Sequence, residues 1–276
     1  MAGHFSAFSF VDRITAFDAG TRASGHFTVP PGLPSFPACL VAEAVGQLAA
    51  WVAMAHVGFR LRPVAGLAAE TRFLGEVKPG ERLDLEIEIA SCDDDAVAYG
   101  GRARVDGATV LELSDCVGPM LPLEDFDAPE AVQGRLQALR DGVAEGGRFR
   151  GVALPEPVVI DRRPGERVRA ALQVPTAAPF FADHFPRQAV LPGTLLLDSQ
   201  IRLAVGLAAE LRRSGTSPLA PARVTDVKIR SFILPGQELE LEAQLSPAGD
   251  VAALTARTAG KQIASARLEL AARGAG

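Results

Sequence analysis

His184 is the residue of this chain best placed for proton chemistry. It stands in Pro179-Phe180-Phe181-Ala182-Asp183-His184-Phe185-Pro186, a loop stiffened by two prolines and three phenylalanines, nine residues before the glycine of Val190-Leu191-Pro192-Gly193-Thr194. An imidazole changes charge near neutral pH and can take or give a proton at a reacting carbon or oxygen. Pro192-Gly193 leads into the apolar run Leu195-Leu196-Leu197, the pattern of a helix start, whose free N–H groups favour developing negative charge. Two carboxylates fall in comparable positions. Asp198 follows His184 by fourteen residues. Glu43 is the one carboxylate in the apolar stretch 38–57, where burying it without a partner costs several kcal/mol, so its presence suggests a use. The bland reading is a carboxyl satisfied by nearby backbone or an arginine. Gln47, four residues on, shares its helix face and can hydrogen-bond it.

The elements that position these groups come from composition and repetition. The chain has 276 residues, is 48% hydrophobic and 22% charged, and carries a net charge of −5. It has core-forming residues for two domains of ordinary size, and its acidity argues against nucleic acid as the main partner. Cys39, Cys92 and Cys116 have neither CxxC spacing nor a histidine placed to complete a metal site, and read as reduced thiols of a cytoplasmic protein. Met1 to Ser6 lack the pattern of a secretory signal. The stretch 38–57 has the length of a membrane span, but Glu43, Gln47 and His56 make it a better buried core helix.

The chain also repeats itself. Phe73 to Glu86 aligns with Ile229 to Glu242 at an offset of 156, and Pro37 to Glu43 with Pro192 to Asp198 at 155. A near-constant offset across a turn-strand and a helix is hard to obtain by chance. Each half reads as one long helix, 37–57 and 193–213, ended by Gly58 and Gly215, followed by alternating strands such as Leu83–Ile89 and Glu238–Leu245. Pro129–Arg140 reads as an amphipathic linker helix. The expected division is 1–123, a linker 124–152, and 153–276.

The segment from His184 to Asp198 resembles the signature of the 3-hydroxyacyl-ACP dehydratase family: a His-Phe-Pro loop, a Pro-Gly helix start and an acidic residue fourteen positions after the histidine. Glu43-Ala44-Val45-Gly46-Gln47 is similar to the family's helix motif. Val11-Asp12-Arg13-Ile14 looks like its N-terminal Asp-Arg stretch, with Val158 to Arg162 as a weaker second copy. The resemblance implies an α+β double hot-dog, two curved antiparallel sheets each wrapped around a long central helix and paired within one chain. It implies His184 facing Glu43 across the two halves, the Gly193 N–H on the thioester oxygen, the Val190 carbonyl fixing the imidazole, and Phe181 and Gln47 near the substrate. The implied reaction is dehydration of 3-hydroxyacyl thioesters of acyl carrier protein or CoA, in fatty acid or polyketide synthesis, without metal or organic cofactor and without a membrane. A further homo-oligomer is left open.

The first half departs from the pattern. His26 lies seventeen residues before Glu43, and aligning Gly20–Pro30 with Gly165–Pro175 places it in a strand opposite Ala171, with about ten residues of histidine loop deleted. Asp198 has Arg202 at i+4 where Glu43 has Gln47, which suits a salt bridge that lowers the carboxyl pKa. One working site, His184 with Glu43, is therefore expected, and a second at His26/Asp198 is the alternative. His4 is expected in a flexible terminus, Cys39 in the core or facing the substrate, and Arg162 to Arg169 in a solvated turn or against acidic or phosphate groups. A hot-dog thioesterase and a non-catalytic acyl-carrier-binding subunit are the competing functions.

Overall fold

The computed structural model describes residues 4–146, 148–153, 155–211 and 217–272. The first half runs β1 (Arg13–Asp18), β2 (Arg22–Thr28), α1 (Ala38–His56), β3 (Leu61–Pro63), β4 (Leu67–Phe73), β5 (Arg82–Cys92), β6 (Ala96–Val105) and β7 (Ala108–Pro122). After α2 (Pro129–Asp141) come β8 (Val158–Arg163), β9 (Arg167–Gln173), α3 (Gly193–Ala209), β10 (Leu219–Ile229), β11 (Glu238–Leu245), β12 (Val251–Thr258) and β13 (Lys261–Ala272).

Alternation decides which way each strand faces. In β5, Leu83, Leu85 and Ile87 are buried while Asp84, Glu86 and Glu88 point outward; in β11, Leu239, Leu241, Ala243 and Leu245 are buried. Each fully buried leucine contributes about 1.5–3 kcal/mol against exposure. The buried faces wrap two helices that are apolar on most sides. Eleven residues of α1 are buried, so this helix, long and apolar enough to cross a membrane, is a core element of the fold. It stops at Gly58, whose φ of +64° a glycine adopts without strain. α3 ends at Ala209, four residues short of the expected 213; the expected stop at Gly215 lies outside the described residues.

All strands but β3 form one antiparallel path, β1-β2-β5-β6-β7-β4-β10-β13-β12-β11-β9-β8, with β3 on β7. The path reads the same from either end. Its midpoint is the β4–β10 ladder, where Thr71 pairs with Val224 and Ala68 with Val227. The chain is therefore a double hot-dog whose halves pair as two protomers would.

The outer ladders correct one alignment. Arg13 pairs with His26 and Val158 with Ala171, and both ladders bulge one residue later, between Ile14 and Ala16 and between Val159 and Asp161. Arg13 thus corresponds to Val158, an offset of 145, and Asp161-Arg162 is no structural copy of Asp12-Arg13. A register shift at the same place in both ladders marks equivalent residues, whereas a two-residue letter match does not. The jump from 145 to 155 falls between strand and helix, so residues 29–37 are ten fewer than 174–192.

Candidate functional site

The histidine loop is built by its own backbone. His184 N–H donates to the Phe180 carbonyl at 2.9 Å, and Val190 N–H to the His184 carbonyl at 3.1 Å. The same Val190 offers its carbonyl to His184 Nδ1 at 3.2 Å. With the hydrogen on Nδ1, Nε2 keeps its lone pair for a substrate proton. Burial pushes the imidazole below its ordinary pKa and nearby Arg62 adds to this, while Glu43 and the Val190 carbonyl pull it back up.

Glu43 receives help from both halves. Gln47 Nε2 donates to Oε1 at 3.0 Å from the same helix, and Thr194 Oγ1 donates to Oε2 at 2.8 Å from the start of α3. A hydroxyl can rotate to accept as readily as it donates, so Thr194 suits Glu43 in either protonation state. Glu43, Gln47, His184, Gly193 and Thr194 all line one cleft of about 240 Å³, walled by Ala42, Gly46, Ala50, Met54, Tyr99, Leu113 and Cys116. As the first residue of α3, Gly193 has no helical carbonyl four residues back for its N–H.

Two groups to which the sequence reading gave no role, Asp183 and Arg62, hold the loop. Asp183 accepts N–H bonds from Phe5 at 2.5 Å and Phe8 at 2.7 Å and the Ser9 hydroxyl at 3.2 Å. That same N-terminal segment reaches Gln47, which accepts from Phe10 N–H and donates to the Phe8 carbonyl, both at 2.9 Å. One strand of chain thus ties the neighbour of His184 to the neighbour of Glu43. On the other side the Arg62 guanidinium lies 3.8 Å from the Phe185 ring centre, and its burial lowers its pKa to about 10. A local signal for Asp183 existed in the Asp-His pair, but its partners lie about 175 positions away.

Several expectations are corrected. Phe181 does not line the cleft: its ring packs into the main core, 4.6 Å from Phe180, because the one-turn helix Pro179–Ala182 aims it inward. Val190 keeps its side chain buried beneath the loop, away from substrate, and meets the imidazole through its carbonyl, the contact that the resemblance implied. His4 stacks on Phe5 and meets Asp127 at 2.9 Å, so it is anchored. The basic run forms the exposed turn between β8 and β9, in keeping with the solvated reading, with Arg162 paired to Glu210, Arg167 to Asp161 and Arg169 to Glu240.

His26 and Asp198 are not brought together. His26 is on β2, on the face opposite buried Ala23, Gly25 and Phe27, and does not reach the cleft. Asp198 is buried, 3.0 Å from Arg202. Contrary to the expectation, its pKa is raised, because burial outweighs Arg202. Arg202 also donates to the Pro155 carbonyl at 2.9 Å, the role Gln47 plays toward Phe8. Cys39, corresponding to Thr194, is buried in a second core cluster near Asp198.

Comparison with known proteins points to the same fold and to dehydratases. Residues 4–114 match the FabA-like domain and residues 161–267 the ApeI dehydratase model. The chain is 36% identical over 122 residues to the 3-hydroxyacyl-[acyl-carrier-protein] dehydratase FabZ of Bacillus velezensis, covering 40% of this chain and 85% of that protein. It is 37% identical over 123 residues to FabZ of Bacillus subtilis, covering 40% and 86%. Among solved structures, a putative oleoyl thioesterase from Lactobacillus plantarum shares the fold at TM-score 0.60 and 11% identity, over 92% of this chain and 98% of that one. A MaoC-like dehydratase does so at TM-score 0.54 and 13% identity, over 92% and 98%. With two dehydratase domains in tandem on one double hot-dog, the chain belongs to the 3-hydroxyacyl-[acyl-carrier-protein] dehydratase family.

Proposed function

We propose that the chain dehydrates 3-hydroxyacyl thioesters to trans-2-enoyl thioesters at one site, with His184 as base and Glu43 as acid. The observation that carries this reading is the pairing, in one cleft, of an imidazole kept neutral by burial and oriented by Val190 with a carboxyl group held by Gln47 and Thr194. Nε2 of His184 removes the C2 proton, the C2–H pair becomes the C2=C3 bond, and the C3–O bond breaks as Glu43 gives its proton to the leaving hydroxyl. Water departs. Return of the imidazolium proton to the Glu43 carboxylate resets the pair.

The enolate charge that develops on the thioester oxygen is met by Gly193 N–H at the positive end of α3; one such donor is typically worth about 2.7–4 kcal/mol of barrier. Residues 1–123 then supply Glu43 and the cleft wall, 124–152 link, and 153–276 supply His184. The carrier is an acyl carrier protein or CoA, as the name of the FabZ relatives suggests for the former.

The direct test is hydration of enoyl thioesters on CoA and on carrier protein, followed by loss of enoyl absorbance. His184→Ala and Glu43→Gln are expected to abolish it while the fold persists. Retention of more than about a tenth of activity by either variant rejects the assignment. The thioesterase neighbours in the fold comparison favour a second reading, hydrolysis, which releases free thiol and is scored in the same reaction.

A further inference from the structure

Arg62, in β3, lines the cleft together with His184 and Glu43. Its guanidinium carbon lies 3.8 Å from the centre of the Phe185 ring and 5.8 Å from that of Phe126. A cation over a ring is held through the ring's face, but its N–H groups still need acceptors, because an arginine has five donors and no acceptor of its own. Nε is buried without a partner, and among the described residues no carbonyl or carboxylate takes a hydrogen bond from either terminal nitrogen. Leaving such a charge desolvated and unpaired is costly, so its place beside the acid/base pair suggests a use.

Its neighbours do not supply the acceptor. Three carboxylates line the cleft, and each already has donors: Glu43 from Gln47 and Thr194, Asp183 from the N-terminal segment, and Asp127 from His4 at 2.9 Å and Ala128 N–H at 2.7 Å. None forms an ion pair with Arg62, although Asp127 and Glu43 are near enough to favour its charge. Asp127 also decides the kind of ligand. A carboxylate or phosphate docked here would face that buried carboxylate, whereas a carbonyl or hydroxyl oxygen would not. Reach points the same way: Arg62, Phe185 and His184 form one stack, with 4.2 Å between the two ring centres. The cation is one ring removed from the base, too close to the reacting carbons for the phosphate at the far end of a pantetheine arm. At the repeat offsets of 155 and 156 its counterpart is Ser217 or Pro218, neither of them a cation.

We propose that Arg62 is a substrate-binding residue whose free N–H edge donates to an uncharged oxygen, carbonyl or hydroxyl, that the substrate carries outside its thioester group. Two parts of an acyl thioester can present that oxygen: the acyl chain beyond C3, or the first amide of the arm that bears the thioester. The inference rests on the cleft being an acyl-thioester site and names a polar feature of the ligand it takes.

The test uses the full chain and three trans-2-hexenoyl thioesters: a propyl thioester with no further oxygen, an N-acetylcysteamine thioester with one amide carbonyl in the arm, and a propyl thioester with a keto oxygen at C5. In the wild-type protein at least one oxygen-bearing thioester is expected to exceed the plain one in kcat/KM by about tenfold, the worth of a hydrogen bond from a charged donor. Arg62→Met, which keeps an apolar stem over Phe185, is expected to erase that advantage. Which thioester has it identifies the source of the oxygen. Equal rates for all three in the wild type, an advantage that survives Arg62→Met, or an equal fall for all three overturns the proposal. The last is what support of the His184 loop alone would give. If Arg62→Met fails to fold, Arg62→Lys serves: it keeps the charge, lacks the planar fork, and is expected to cut the advantage about threefold. Wild-type protein that hydrates none of the three defeats the dehydratase reading. Binding of the corresponding saturated thioesters then decides the subsite. About tenfold tighter binding of an oxygen-bearing one, with the gain lost in Arg62→Met, upholds it, and equal binding of all three overturns it.

Discussion

The surroundings of Glu43 and of Asp198 are two versions of one construction. Each carboxylate sits five residues into a central helix preceded by proline, and each has an i+4 partner that grips the segment leading into the first strand of its half. The versions diverge in what meets them from the opposite half. Glu43 meets Thr194 and a cleft that also holds His184; Asp198 meets Cys39, a weak hydrogen-bond former, and a loop ten residues shorter with no histidine. Gln47 is neutral, and Arg202 adds a positive charge beside its carboxylate. The comparison teaches that the pairing geometry does not depend on these side chains: both halves keep the same strand order and the same bulge although what faces their carboxylates differs.

The strongest way to break this comparison is to remove the groups that only the first version has. His184→Ala and Glu43→Gln are each expected to reduce kcat by about 10² to 10⁴, measured by enoyl hydration, with unchanged thermal unfolding. Writing the second version into the first is milder. Thr194→Cys replaces a good donor to Glu43 by a thiol, and a loss of roughly 1–1.5 kcal/mol, about tenfold in kcat, is expected. An unchanged rate would show that Thr194 does not hold the acid.

The pH profile sharpens the comparison further. Because burial lowers the His184 pKa, the acid limb of kcat/KM is expected to have its midpoint below about 6.5, the ordinary imidazole value. The same shift makes a stability term: it is fully present above the unfolded value and is lost as pH falls through the folded one. His184→Gln should remove that part of the acid destabilisation. A midpoint above the ordinary value would show that Glu43, not burial, dominates.

Changes at the second version should matter least. Asp198→Asn is expected to leave activity within about twofold and stability within roughly 1 kcal/mol, since burial of the charge and attraction to Arg202 oppose each other. Arg202 keeps Glu156 at 2.8 Å and the Pro155 carbonyl. His26→Ala should be silent in turnover. A hundredfold loss from either would restore a second working site.

Much of this was legible in the residues. Helix and strand repeats at 155 and 156, the His184 loop, the Glu43–Gln47 pair and the missing loop in the first half all follow from local patterns, because periodicity and i+4 spacing are local physics. What escaped was set by distant chain. Asp183 acts on Phe5 and Phe8, Thr194 on Glu43 across about 150 positions, and Arg62 on Phe185. The direction of the Asp198 shift escaped for the same reason: its i+4 arginine is visible in sequence, the depth of its burial is not. Phe181 was misplaced because a short turn, not composition, decides where its ring points, and that turn sends both Phe180 and Phe181 into the core.

The β4–β10 ladder that makes one sheet of the two halves also changes what a mutation can do. In a symmetric dimer of identical chains every substitution is written twice, once in each site, so neither site can be lost without the other. Here each position is inherited singly. Thr194 can donate to Glu43 while its counterpart Cys39 lies buried near Asp198, a difference that two identical chains could not carry.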